Sequence, residues 1–184
     1  MRVITGTARG RKLRTPTGDE IRPTADSVKE AMFSIIQFDI EGRSVLDLFS
    51  GSGQLGIEAL SRGARICTFV DSAKQSIEIT RENVKICGFE DRSNIVVSDA
   101  ATFLKRAQGK GTRYDIALLD PPYAAGLVNK LLPEVAELMN VGGVILCEVP
   151  LKTELPETAG EFVCRKTYRH GKTMLALYRH SSIE

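Results

Sequence analysis

Val45-Leu46-Asp47-Leu48-Phe49-Ser50-Gly51-Ser52-Gly53-Gln54-Leu55-Gly56 reads as a buried strand, a glycine turn and the start of a helix. Gly51, Gly53 and Gly56 allow a ligand to approach the backbone and allow the helix to pack close to the strand. Their spacing is G-x-G-x-x-G, and Asp71 follows Gly51 by 20 residues, at the end of the next apolar run. That is also the dinucleotide-binding fingerprint, in which the acid holds ribose hydroxyls. Asp47 separates the alternatives. A carboxylate inside a buried strand is costly unless it is paired or faces a ligand. It repels a pyrophosphate and attracts a sulfonium or ammonium cation, so S-adenosylmethionine is the predicted cofactor.

Outward from this block, strand-length apolar runs alternate with helical patterns. Ser44–Leu48, Ile66–Val70, Ile95–Ser98, Asp115–Leu119 and Val144–Val149 read as buried strands rich in β-branched residues and Leu. Ala73–Cys87 is an amphipathic helix with Ile77, Thr80, Val84 and Cys87 on one face. In Leu127–Met139, Pro133 is expected to kink the segment or to begin a second turn as its first residue. Thr24–Asp39 is a helix with Thr24 as cap and Val28, Met32, Ile35 and Ile36 on its apolar face. Glu161–Tyr168 and Thr173–Arg179 form an antiparallel hairpin around Arg169-His170-Gly171-Lys172. The alternation predicts an α/β fold, Rossmann-like, with a mostly parallel seven-stranded sheet flanked by helices and closed by that hairpin. Residues 1–184 read as a single domain, of which 1–23 is a basic N-terminal hairpin extension turning near Gly10.

A second motif, Asp120-Pro121-Pro122-Tyr123, ends the apolar run Ile116–Leu119. The prolines stiffen the turn, remove two backbone donors and leave carbonyls free to accept. Asp120 adds carboxylate acceptors, and the Tyr123 ring can stack on a flat partner. The set suits a planar substrate with an exocyclic amine, such as a nucleobase. Asp99 ends the third strand, where it can accept from an adenine amine or cap the helix starting at Ala100. Gly51, Asp71, Asp99 and Asp120 then share the sheet edge at which open α/β folds bind ligands.

Composition sets the bounds. A chain of 184 residues is 42% hydrophobic and 26% charged, the balance of a globular protein able to bury a full core. No apolar stretch reaches the ~20 residues of a membrane span, and the N-terminus lacks a signal-peptide core, so a cytoplasmic address is expected. The cysteines Cys67, Cys87, Cys147 and Cys164 are far apart, and with only His170 and His180 no metal site is expected. Residues 1–18 carry five Lys/Arg and no acid, while residues 163–184 carry five against one acid, Glu184. The residues between hold 15 basic and 22 acidic side chains. Basic ends on an acidic body suggest a polyanion partner.

Taken with Arg22-Pro23-Thr24, Val28-Lys29-Glu30-Ala31-Met32-Phe33 and Leu55-Gly56-Ile57-Glu58-Ala59-Leu60-Ser61-Arg62-Gly63-Ala64, these motifs resemble a known family along nearly the whole chain. It is the family of bacterial 16S ribosomal RNA guanine-N2 methyltransferases of the RsmD type, which are class I, S-adenosylmethionine-dependent enzymes. The resemblance implies that Asp47 and the turn Phe49, Ser50, Gly51 and Gly53 hold the methionine end of the cofactor. It implies ribose contact by Asp71, adenine contact by Asp99 and Ala100, and methyl transfer at Asp120, Pro121 and Tyr123. Arg9, Arg11, Lys12, Arg14 and Arg22, with Arg169 and Lys172 from the far end, would hold the phosphates of 16S RNA or of the small ribosomal subunit. A monomer is the default. Gln54 stands where the family usually has a small residue, and His170-Gly171-Lys172-Thr173 stands where a Tyr-Gly-Asp-Thr-like turn is common. Rival readings are a DNA adenine-N6 methyltransferase, an NAD-dependent oxidoreductase and a non-catalytic RNA-binding assembly protein.

Overall fold

A computed structural model describes residues 1–16, 25–122 and 126–183. The candidate site residues Arg22 and Tyr123 and the expected helix cap Thr24 lie outside the described residues. Helices and strands alternate as α1 (Asp26–Ile35), β1 (Ser44–Asp47), α2 (Gln54–Ser61), β2 (Ile66–Asp71), α3 (Lys74–Cys87), β3 (Ser93–Val97), α4 (Ala100–Gly109), β4 (Tyr114–Leu119), α5 (Leu127–Glu137) and β5 (Met139–Pro150). The chain then closes with β6 (Thr158–Ala159), β7 (Phe162–His170) and β8 (Thr173–His180). The strand order is β3-β2-β1-β4-β5-β8-β7-β6, parallel through β5 and antiparallel beyond it.

The sheet thus has eight strands among the described residues, where the sequence pattern predicted seven. The additional one, β6, is two residues paired with Val163 and Phe162, too short to leave a period-2 signature. Pro133 lies inside α5, which runs through it as one helix. Its missing N–H leaves the carbonyl of Asn129 without a helical donor, and both residues are exposed, so water can replace the lost bond.

Alternation along the strands sends side chains into two cores. Val45, Ile116 and Val144 face α1, α2 and α3, whereas Leu46, Ala117 and Ile145 face α4 and α5. All of β1 is buried, which is why it reads as a continuous apolar run with one acid in it. Helix α2 lies unusually close to β2. A Cβ at Gly56 would stand 2.3 Å from the Phe69 ring and 2.6 Å from Cys67 Sγ. Gly56→Val is therefore expected to destabilise the fold by about 3 kcal/mol, seen as a lower urea midpoint at unchanged slope.

Residues 1–16 pack onto this body. Arg2 bridges Lys12 antiparallel, and the Val3 N–H donates to the Arg11 carbonyl at 3.0 Å. Val3, Ala8 and Leu13 enter the core beneath α1, α2 and α3. A buried charge cluster holds the segment down. The Glu58 carboxylate accepts from the Ile4 N–H at 2.8 Å, the Thr5 N–H at 2.9 Å and Arg62 Nε at 2.9 Å. Lys29 Nζ donates to the Arg2 carbonyl at 2.6 Å and lies 3.9 Å from Glu58. Burial lowers the Lys29 pKa against the opposing pull of Glu58.

Candidate active site

Parallel register brings the carboxyl ends of the strands level: Asp47 pairs with Phe69 of β2 on one side and with Leu118 of β4 on the other. Asp71, Asp99 and Asp120, which end or follow β2, β3 and β4, therefore share one edge of the sheet with the turn after β1. Strands leave β1 in opposite directions, so a crevice opens there, at the switch point between β1 and β4.

The glycine turn is held from several sides. Gly51 and Gly53 take φ of 53° and 79°, the left-handed region. Asp71 accepts the Gly51 N–H through Oδ2 and the Ala73 N–H through Oδ1, each at 2.9 Å, tying the turn to the start of α3. Thr80 Oγ1 donates to the Gly51 carbonyl at 2.9 Å. Asp47, 1% exposed, accepts the Gly56 N–H through Oδ2 at 2.9 Å. Among the described residues its Oδ1 has no hydrogen-bond partner, and neither does the buried Ser50 Oγ. Burial pushes the Asp47 carboxyl up to about 7; the Gly56 N–H opposes this, and the nearby Asp120 and Asp71 carboxyls add to it.

Above the turn is a cleft of about 250 Å³ lined by Leu48, Phe49, Asp71, Asp99, Ala100 and Pro122, with Leu127, Lys130 and Leu131 of α5 as its far wall. Asp99 also caps α4, its Oδ1 accepting the Thr102 N–H at 2.9 Å. That bond draws the Asp99 carboxyl below its ordinary range. The structure thus brings Phe49, Asp71, Asp99 and Ala100 onto one cleft. Asp47, Ser50 and Gly53 are buried and are not part of its lining. Lys130 carries no signal in the sequence, because the period of α5 shows which face is apolar and not what that face meets.

Asp120 and Pro121 are half-buried and Pro122 is exposed. A second cleft, about 480 Å³, is lined by Gly126 and Asn129 of the α5 start and by Pro150, Lys152, Thr153 and Glu154 beyond β5. Asn129 Nδ2 donates to the Glu154 carbonyl at 2.7 Å and closes one end of it. Helix α5 therefore contributes to both clefts.

Of the basic residues, Arg9 and Lys12 are exposed. Arg11 donates to the Ile86 carbonyl, and Arg14 pairs with Glu82 at 3.0 Å while its side chain stays 67% exposed. Arg169 and Lys172 are exposed at the β7–β8 turn. Thr173 pairs with Pro150, and the Leu151 N–H donates to the Lys172 carbonyl at 3.1 Å, so this turn sits at the same sheet edge as Asp120.

An unpartnered carboxylate oxygen under a glycine turn, with further acids beside it, favours a cationic ligand over a pyrophosphate. S-adenosylmethionine fits that requirement, and with Asp120-Pro121-Pro122 closing the neighbouring strand, fold and site together define a class I methyltransferase dependent on that cofactor. Comparison with known proteins narrows the class. Residues 1–179 match the family model described as Conserved hypothetical protein 95, and the chain belongs to this family, that of the RsmD-type methyltransferases. YlbH of Bacillus subtilis (strain 168), provisionally named as an rRNA methyltransferase, is 38% identical over 97% of this chain and 98% of its own length. Ribosomal RNA small subunit methyltransferase D of Escherichia coli (strain K12) is 31% identical over 99% of this chain and 91% of its own. A solved Escherichia coli structure, yhhF, described provisionally as a methyltransferase, superposes with a TM-score of 0.85 at 30% identity, covering 98% of this chain and 97% of that one.

The geometry of Asp47 makes a prediction that separates stability from binding. Its native pKa is raised to about 7 from an ordinary 3.8. Between those values the unfolded chain loses the proton while the native chain keeps it. The wild type therefore loses stability as pH rises through that window, and the full loss persists above it. Asp47→Asn removes the charge and retains an acceptor for the Gly56 N–H. Its stability relative to wild type is expected to rise by a few kcal/mol between pH 4 and pH 8, while S-adenosylmethionine binds at least about tenfold more weakly. Urea unfolding at the two pH values and calorimetric titration check the two halves.

Proposed function

We propose that this chain transfers a methyl group from S-adenosylmethionine to the exocyclic N2 amine of a guanine in 16S ribosomal RNA of the small subunit. The observation that carries the reading is the position of Asp120-Pro121. This acceptor-rich, donor-poor turn stands at the end of β4, next to the strand whose end carries Asp47 and the glycine turn. The small-subunit reading takes support from the relatives named ribosomal RNA small subunit methyltransferase D.

When bound, S-adenosylmethionine supplies a methyl group activated on a sulfonium cation. The cofactor-binding residues are Asp47 and the Phe49–Gly53 turn at the methionine end, Asp71 at the ribose, and Asp99 with Ala100 at the adenine. A guanine amine is a poor nucleophile because its lone pair is delocalised into the ring. The Asp120 carboxylate and the Pro121 carbonyl accept the two amine hydrogens and favour the pyramidal amine, whose lone pair is free. Tyr123 stacks the base and fixes its angle of approach. The proton leaving the alkylated nitrogen is already acidic, so Asp120 need only guide it toward water. A base buried in a helix cannot reach this edge, so the target is unstacked or lies in a loop.

Arg9, Arg11, Lys12, Arg14 and Arg22 hold phosphates from the N-terminal segment, and Arg169 and Lys172 hold them at the β7–β8 turn. Lys152, on the second cleft, adds a cation that sequence reasoning did not single out. The enzyme is proposed to act as a single domain over 1–184 with a basic hairpin at 1–23, as a monomer in the cytoplasm. Among the described residues no helix is long and apolar enough to cross a membrane.

The acceptor is tested with labelled S-adenosylmethionine offered to unmodified small subunits, naked 16S RNA and duplex DNA. Label in either RNA form supports the reading. Label in DNA alone replaces it with a DNA amino-methyltransferase. Cofactor binding with no label in any acceptor replaces it with a binding role in subunit assembly.

A further inference from the structure

Asn83 is fully buried on α3, and its amide touches two parts of the chain that are far apart in sequence. Its Oδ1 accepts the Arg14 N–H at 2.7 Å. Its Nδ2 donates to the Arg14 carbonyl at 3.0 Å and to the Ser52 carbonyl at 2.9 Å. One side chain thus clasps both backbone groups of Arg14 in the basic hairpin and a carbonyl in the middle of the glycine turn. A second contact runs alongside, with Ser52 Oγ 3.5 Å from Met1 Sδ. Thr80, one helical turn earlier on α3, holds the adjacent Gly51 carbonyl. Three hydrogen bonds to a single buried amide specify its rotamer and leave no freedom for one partner to shift alone.

We infer that Asn83 is a positioning residue that makes the N-terminal hairpin a structural part of the cofactor site, so that the hairpin and the glycine turn adopt their binding geometry together. Cofactor affinity then depends on a docked hairpin. Because linkage is reciprocal, RNA that grips the hairpin tightens the cofactor, and the cofactor tightens RNA. This last step rests on the proposed RNA contact by the hairpin; the dependence of cofactor affinity on Asn83 does not.

Two substitutions reach the clasp from opposite sides. Asn83→Ala removes it directly. Gly6→Ala leaves the glycine turn untouched and undocks the hairpin, because a Cβ there would stand 1.9 Å from the Ser61 carbonyl oxygen at a φ of 88°. As a control, Asp39→Ala breaks the Asp39–Arg179 ion pair (2.8 Å), which lies away from the clasp, and lowers stability without touching either segment. Calorimetric titration of the full chain with S-adenosylmethionine is expected to show affinity about tenfold lower or worse in Asn83→Ala and Gly6→Ala, and unchanged in Asp39→Ala. Asn83→Gln, whose amide reaches only part of the set, is expected to fall between. Wild-type affinity in a folded Asn83→Ala overturns the inference, and so does an equal loss in Asp39→Ala. Repeating the titration with naked 16S RNA present is expected to tighten the cofactor in wild type and not in Asn83→Ala. Tightening that survives in Asn83→Ala overturns the coupling. Absence of any RNA binding by wild type counts against the proposed substrate, while the titration without RNA still decides the role of Asn83.

Discussion

Asp120→Ala is expected to lower methyl transfer to small subunits by about 10²–10³-fold while leaving S-adenosylmethionine affinity within about threefold of wild type. The split follows from position. Asp120 follows β4, one strand over from the glycine turn, and its carboxyl repels that of Asp47. Removing it relieves that repulsion, so the Asp47 carboxyl becomes more willing to carry its negative charge. What disappears is the acceptor proposed for the amine. The acceptor matters most as the nitrogen becomes pyramidal and develops positive charge, which is the condition for lowering turnover and not ground-state binding. Asp120→Asn keeps a carbonyl acceptor without the charge and is expected to lose only about tenfold. Single-turnover transfer, with the cofactor titrated separately, checks both variants. Transfer by Asp120→Ala within a few fold of wild type would remove Asp120 from the chemistry.

The second large effect is on stability. Glu58→Ala is expected to cost about 3–5 kcal/mol, because it leaves the Lys29 ammonium buried without its nearest fully buried counter-charge and strips the Ile4 and Thr5 N–H groups of their acceptor. Lys29 is 0% exposed, although Asp26 lies 3.8 Å away and the Arg2 carbonyl still accepts from it. Arg62, also on the carboxylate, lies over the Phe33 ring at 4.9 Å and loses one of its two anchors. A midpoint roughly 10 °C lower in thermal unfolding is expected. The double variant Lys29→Met with Glu58→Gln removes both charges and retains one acceptor, so it is expected to recover much of the loss. A single-variant drop below about 1 kcal/mol would make the cluster no more than a surface ion pair.

The fold was legible where a residue's neighbours in sequence decide its state. β1 is buried on both faces and so reads as an apolar run, the glycine turn follows it, and the apolar face of α3 shows in Ile77, Thr80, Val84 and Cys87. The acids at the strand ends were legible for the same reason, since a carboxylate after a buried strand is conspicuous. Contacts between distant segments were not. Glu58 meets the backbone of Ile4 and Thr5 across 54 and 53 positions, and Asn83 meets Arg14 across 69, with nothing local to mark either pair. Nothing in the sequence around Gly6 marks the Ser61 carbonyl oxygen that lies 1.9 Å from where its Cβ would be. Lys130 and Lys152 line their clefts through the packing of α5 and the course of the loop after β5, which no periodicity records. Asp99 could be read as cap or as cofactor acid; the structure shows the cap and sets the same residue on the cleft.

Digestion of small subunits methylated by the wild-type protein, followed by mass identification of the labelled nucleoside, tests the proposed chemistry most directly. N2-methylguanosine is expected, abolished with Asp120→Ala and restored in part with Asp120→Asn. Label on a ring nitrogen, a base carbon or a ribose hydroxyl would contradict it, because none of those acceptors presents two amine hydrogens to Asp120 and Pro121.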